Sequence, residues 1–167
     1  MKNSEKIFTS IVHEYQEPLY WYIRHLVVNH EDSEDILQET FVRAFRSLWQ
    51  LRDEKALRAW LYRIATGEIS RYYRKHRSMA SLEDISPEYL ESLEGSQYVD
   101  FGDSAQICLQ KALLTLTPQQ KTVFALRYYD ELSYKDIAYI TGSTESTLKV
   151  AYHNARNRVE EHLKNNG

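Results

Sequence analysis

The sequence predicts an all-α protein built of two helical domains joined by an acidic linker. Three observations carry this. Apolar residues recur at three- and four-residue spacing, and no segment alternates apolar with polar as a half-buried strand does. Glycine and proline number only 5 and 3 in 167 residues, too few for the tight turns of a sandwich or barrel. The charge is uneven. Residues 81–104 hold seven acids (Glu83, Asp84, Glu88, Glu91, Glu94, Asp100 and Asp103) and no base. Residues 1–80 hold 13 Lys/Arg against 11 Asp/Glu, and residues 105–167 hold 8 against 6. The formal net charge of −3 therefore belongs to the middle segment. Pro87, Gly95 and Gly102 break the helical rhythm there, so it reads as an interdomain tether, with room for a short helix around residues 87–93.

The first helix is expected over residues 4–28, on Ile7, Ile11, Tyr15, Leu19, Tyr22, Ile23 and Leu26, with Pro18 as a kink or break. A second follows in "NHEDSEDILQETFVRAFRSLWQL". Asn29 or Asp32 can cap it, and acids crowd its first turn, where the helix dipole favours them. Ile36, Phe41, Ala44, Phe45 and Leu48 suit its buried face. A third runs from about residue 54 or 57 to 76 on Leu57, Trp60, Leu61, Ile64 and Ile69.

Beyond the linker, residues 105–116 form the fourth helix. Thr117-Pro118-Gln119-Gln120 starts the fifth: Thr as cap, Pro at the first helical position, Gln three after the cap. Val123, Phe124, Leu126 and Tyr128 continue it. Ser133 to Asp136 opens the sixth helix, Gly142 permits a turn, and Ser143 or Thr144 caps a last helix to about residue 163.

Composition excludes several chemistries. Cys108 stands alone among Ile107, Leu109, Leu113 and Leu114, so a buried, inert thiol is expected rather than a disulfide or zinc site. Neither a signal-peptide core nor an apolar run near 18 residues is present, so a cytoplasmic protein without membrane insertion is expected. The six histidines show no metal-ligand spacing, and no phosphate-binding glycine loop or nucleophile elbow occurs. An enzyme is not expected, nor a cofactor or metal. The 13 tyrosines fit small cores capped by rings with the hydroxyl outward.

The last helix is the most informative. Stepped at about 100° per residue, Leu148, Ala151, Tyr152, Ala155 and Val159 share one arc. Glu145, Lys149, His153 and Arg156 fall beside it, with Ser146 and Asn157 at the margin. A solvated bundle face would show the same periodicity. The Gly142 turn between two capped helices favours a helix-turn-helix whose second helix enters a DNA major groove.

The chain resembles bacterial sigma factors of the extracytoplasmic-function group, within the sigma-70 family. The likeness rests on "HEDSEDILQETFVRAFRSLWQLRDEKALRAWLYRIA" and "ALLTLTPQQKTVFALRYYDELSYKDIAYITGSTESTLKVAYHNAR", in that order on either side of the acidic segment. It implies a sigma-2 domain over residues 1–80, a linker over 81–104 and a sigma-4 domain over 105–167. The implied function is to bind core RNA polymerase and direct it to promoters. Asp35, Gln38, Glu39 and Phe41 match positions that dock on the β′ clamp, and the resemblance adds the β flap as a second polymerase contact. Arg71, Arg74, Lys75 and Arg77, interleaved with Tyr72, Tyr73 and His76, match the region that melts and reads the −10 element. Residues 51–55 correspond to a loop that captures a flipped-out base. Ser143, Thr144, Ser146, Lys149, His153 and Arg156 are the implied −35 contacts. Many members have Asn at Gly67 and Asp at Ser70, so −10 preference does not transfer; in the last helix many have a Ser-Arg pair at Val150 and Ala151 and Arg at Asn154, so fewer phosphate contacts and a shallower salt dependence are expected here. The resemblance also implies an anti-sigma factor, often membrane-tethered. The competing reading is a free-standing helix-turn-helix regulator. It accounts for residues 118–160 and leaves the N-terminal motif unexplained.

Overall fold

The computed structural model describes residues 2–76 and 102–166. Most of the acidic segment, the short helix expected around 87–93 and Arg77 lie outside the described residues. Within them the chain forms seven α-helices, three before the linker and four after it, and no strand.

Helix α1 (Lys2–Leu26) runs through Pro18 unbroken. An interior proline costs about 3 kcal/mol. Leu19, Tyr22 and Ile23 follow it at 0%, 1% and 0% exposure, and burying each contributes about 1.5–3 kcal/mol. Packing therefore outweighs the breaker. Asn29 caps α2 (His30–Ser47), its side chain accepting from the Asp32 N–H at 3.0 Å. The buried Ser33 hydroxyl sits 2.9 Å from the Val27 carbonyl and locks the α1–α2 turn. A 3-10 turn at Glu54–Ala56, capped by Asp53, leads into α3 (Leu57–Lys75).

In the second half, Asp103 caps α4 (Ser104–Leu113). The capping box opening α5 (Pro118–Phe124) is reciprocal: Thr117 accepts from the Gln120 N–H at 3.2 Å, and the Gln120 side chain accepts from the Thr117 N–H at 3.1 Å. The chain widens into a π turn at Ala125–Tyr129. Helix α6 (Tyr134–Thr141) starts on Ser133, which accepts from the Asp136 N–H. Of the two candidate caps for α7 (Glu145–Asn166), Thr144 accepts from the Thr147 N–H at 3.2 Å. Gly142 ends α6 at φ +78°, a conformation that costs an L-residue about 1–2 kcal/mol. An added Cβ would meet nothing within 4 Å, so strain alone decides. Gly142→Ala is expected to lose about 1–2 kcal/mol of stability, checked by urea unfolding.

Two departures from the periodic reading appear. Phe45 is 47% exposed rather than buried, because it lies about 40° around α2 from Phe41, toward the outer face. Cys108 is half-buried rather than sealed, because it lies toward the outer side of the short α4.

The sequence left the placement of the two halves open. In the structure they are docked. Helix α3 packs on α6, α1 packs on the π turn, and one apolar cluster runs from Leu61 and Ala65 to Leu126, Ile137 and Leu148. A second cluster, Leu113, Leu116, Phe124, Ala155 and Val159, joins α4 and the turn after it to α5 and α7.

Candidate polymerase and nucleic-acid interfaces

The first candidate surface is the outer face of α2. Asp35 and Gln38 are exposed and Glu39 is half-exposed. Phe41 is not with them. At 9% exposure it turns inward and meets the Phe8 ring edge-on at 6.2 Å, so it fastens α2 to α1 and offers no surface to a partner. The apolar contribution to that face comes instead from Val42 (41% exposed) and Phe45, with Trp49 (79% exposed) beyond the helix end. Val42 lies about 20° from Asp35 on the helical wheel, inside the arc of the polar triad. Aromatic and aliphatic side chains ringed by polar ones make the usual anchor of a protein interface. Exposed large apolar residues are the signal for these positions, and periodicity alone assigned Phe45 to the core.

The second surface is the C-terminal half of α3. Arg74 and Lys75 are exposed, while Arg71 pairs with Glu68 at 3.4 Å. Glu68 is 8% exposed and also pairs with Arg43 of α2, so one buried carboxylate holds two guanidinium groups in place. Arg43, Arg46, Gln50, Trp60, Gly67 and Arg71 line a groove of about 350 Å³ between α2 and α3. Gly67 neither kinks α3 nor admits a close neighbour: the helix is continuous and an added Cβ would touch nothing. Its missing side chain opens the groove. Tyr72 and Tyr73 also fasten the helix. Tyr72 donates to Asp32 at 2.8 Å and stacks on His76 at 4.2 Å, and Tyr73 donates to the Leu26 carbonyl. Tyr73 is still 44% exposed.

The third surface is the N-terminal half of α7. Leu148, Ala151, Ala155 and Val159 face inward and are buried, as the periodicity requires, and Tyr152 is half-buried beside them. Ser146, Lys149, His153 and Arg156 are brought together on the outside, all exposed. Ser143 is half-buried, and the Thr144 hydroxyl is committed to the cap. The His153 ring nitrogen accepts from the Asn157 amide at 3.2 Å, which fixes its ring plane. Lys149 extends over the Tyr134 ring at 5.7 Å, and Arg156 pairs loosely with Glu160 at 3.5 Å. Val150, 61% exposed between these groups, was not among the candidate residues.

Where the halves meet, polar groups are deeply placed. The Tyr62 hydroxyl donates to Asp130 at 2.6 Å, and Arg58 donates to the Asp130 carbonyl at 2.6 Å. Burial pushes the Asp130 carboxyl up to about 6, against the lowering effects of the Tyr62 hydrogen bond and Arg58. Burial also pulls His25 down to about 4, reinforced by Arg24. The His25 ring stacks on Tyr129 at 3.8 Å, and Gln110 donates to the His25 carbonyl at 2.8 Å.

Fold and surfaces together define a two-domain helical protein with a helix-turn-helix in its second half and an exposed, partly apolar face on α2 in its first. The Sigma-70 region 2 family matches residues 11–79, and the Sigma-70, region 4 family matches residues 106–159. RNA polymerase sigma factor YlaC of Bacillus subtilis is 31% identical, with 98% of this chain and 95% of that one covered. ECF RNA polymerase sigma factor SigW of the same organism is 27% identical over 98% and 92%. The solved sigma factor RpoE of Bartonella quintana, in complex with the anti-sigma factor NepR, is 26% identical and superposes with a TM-score of 0.75 over 97% of this chain and 99% of that one. The chain belongs to the sigma-70 family, in its extracytoplasmic-function group. It is an RNA polymerase sigma factor, a subunit that directs promoter recognition. Among the described residues no helix is long and apolar enough to cross a membrane.

Proposed function

We propose that the three surfaces divide the work of promoter recognition as follows. Asp35, Gln38 and Glu39, with Val42 and Phe45 added and Phe41 as their support, dock on the β′ clamp of core polymerase. Arg71, Arg74 and Lys75 hold the −10 strand by its phosphates, next to a groove that accepts an unpaired base, and Arg77 continues that basic run in sequence. Ser146, Lys149, His153 and Arg156 face the −35 element, with Ser143 and Thr144 building the helix start that carries them. The carrying observation is the exposed apolar stripe inside the polar triad of α2, a feature a free-standing DNA-binding regulator would not need.

The division into residues 1–80, 81–104 and 105–167 is part of this reading. So are a β-flap contact by the second domain, a cytoplasmic location and the absence of catalysis. An anti-sigma factor is the further partner proposed, by analogy with the RpoE–NepR pair. Run-off transcription with purified core polymerase on a promoter library tests the assignment. Start sites that require both proteins, and that disappear with Asp35→Ala plus Gln38→Ala, support it. Tight operator binding by the chain alone, with no dependent transcript, would favour the regulator.

A further inference from the structure

We infer that Val150 is a specificity-determining residue of α7: its side chain packs on the C5 methyl group of one thymine in the −35 element and selects T at that position. The inference rests on the reading of α7 as the −35 helix and deepens it.

Placement comes first. Stepped at about 100° per residue, Ser146, Val150, His153 and Asn157 lie within about 40° of the direction opposite the buried arc of Leu148, Ala151, Ala155 and Val159. Lys149 and Arg156 lie about 65–85° to one side of that direction. A recognition helix keeps its buried arc against its own domain. Its central outer strip then meets base edges, and its flanks meet the phosphate backbones. Val150 stands in the second turn of α7, within the N-terminal part of such a helix that reaches the bases.

Nothing in the chain accounts for a valine there. Val150 is 61% exposed, and among the described residues it belongs to no apolar cluster. An exposed helix position gains no burial from valine, and valine has a lower helix propensity than Ala, Lys or Glu. Its polar neighbours on the strip are engaged within the helix. The Ser146 hydroxyl lies 3.3 Å from that of Thr144, and the His153 ring meets the Asn157 amide at 3.2 Å. Val150 is therefore the one large apolar group on a strip of polar ones.

The chemistry of the groove names its target. Thymine is the only base that presents a methyl group in the major groove. Valine offers neither donor nor acceptor. Against adenine, guanine or cytosine it would cover polar edge groups and return no hydrogen bond, which penalises those bases. Against thymine it buries methyl on methyl. Its β-branch strongly prefers one χ1 rotamer in a helix, so the two methyl groups are held in place before DNA arrives.

Base analogues test this one methyl at a time. Promoter fragments recovered by run-off transcription with core polymerase supply the probe. Each −35 thymine is replaced in turn by uracil, which removes the methyl and keeps every hydrogen-bonding group. One position is expected to lose about fourfold in holoenzyme affinity, the factor that burying one methyl-sized group is worth. Val150→Ala should lose that discrimination and bind the thymine and uracil fragments alike. At the same position, 5-methylcytosine should bind about fourfold better than cytosine, again only with wild-type protein. Val150→Ala should keep the salt slope of binding, since no phosphate contact changes, and should keep its unfolding midpoint. A uracil scan that is flat in wild type, an equal loss in Val150→Ala, or a −35 element without thymine overturns the inference. If no fragment yields a polymerase-dependent transcript, the sigma-factor assignment falls, and the same scan on fragments retained by the chain alone still decides Val150. Absence of DNA binding in either form overturns both.

Discussion

Phe45→Glu is expected to weaken binding to core RNA polymerase by at least about 30-fold, and polymerase-dependent transcription with it. That factor corresponds to the roughly 2 kcal/mol lost at an interface hot spot. Phe45 sits 47% exposed beside the Asp35, Gln38 and Glu39 face, with Val42 at 41% on the same side. A polymerase surface that covers this stripe would have to bury the new carboxylate without a partner, which adds to the lost contact. The fold should lose little. Phe45 packs edge-on against Phe8 at 5.0 Å, an aromatic pair of about 0.5–1.5 kcal/mol, so the melting temperature should fall by only a few degrees. Phe41→Ala makes the contrast. Its ring is buried in the α1–α2 seam, and truncation should cost about 3–5 kcal/mol of stability, with polymerase binding lost only as the domain unfolds. Calorimetry alongside a core-binding titration separates the two. Equal loss of binding without unfolding in both variants would place Phe41 on the interface after all.

Phe41 and Phe45 also show how far the sequence could be read. Helix starts were legible because capping is local chemistry: Asn29, Thr117 and Ser133 each accept the N–H expected of them. The inward arc of α7 was legible because period and burial agree along a helix that packs on one side. Phe45, expected in the buried face of α2, is exposed instead. Period identifies apolar residues without saying which ones a partner covers, and an interface anchor looks like core. Pro18 was read as a kink or break because proline is locally unfavourable, and the burial of Leu19 and Ile23 that keeps the helix unbroken is tertiary. The junction was illegible for the same reason. Tyr62 and Asp130 are 68 positions apart, and no local pattern announces a hydrogen bond between them. Glu68 carries no local signal either: only the fold places Arg43 and Arg71 against it.

Adjacent residues in α7 should fail in different ways, and the difference tests the helix-turn-helix directly. Leu148 is 0% exposed, under the recognition helix, where it joins the cluster containing Ile137 and Leu126. Leu148→Ala should cost about 2–5 kcal/mol, the usual range for a buried leucine truncated to alanine. Lys149 is exposed on the outer face of α7. Lys149→Ala should leave the unfolding midpoint within about 0.5 kcal/mol of wild type, as surface changes do. Its effect is expected in DNA binding, where it is proposed to act. If the ammonium neutralises one phosphate, the slope of log affinity against log salt should become shallower by about 1, uniformly across −35 sequences. If it reads a base edge instead, discrimination at one position should fall by about 1–3 kcal/mol. Measured as holoenzyme binding at several salt concentrations, Leu148→Ala should keep the wild-type slope at temperatures where it is folded, since the phosphate contacts are intact. An unchanged slope and unchanged sequence preference in Lys149→Ala would remove that side chain from the DNA interface. The exposed face of α7 would then be reduced to Ser146, His153 and Arg156, with Val150 the apolar group among them to test next against thymine methyl groups.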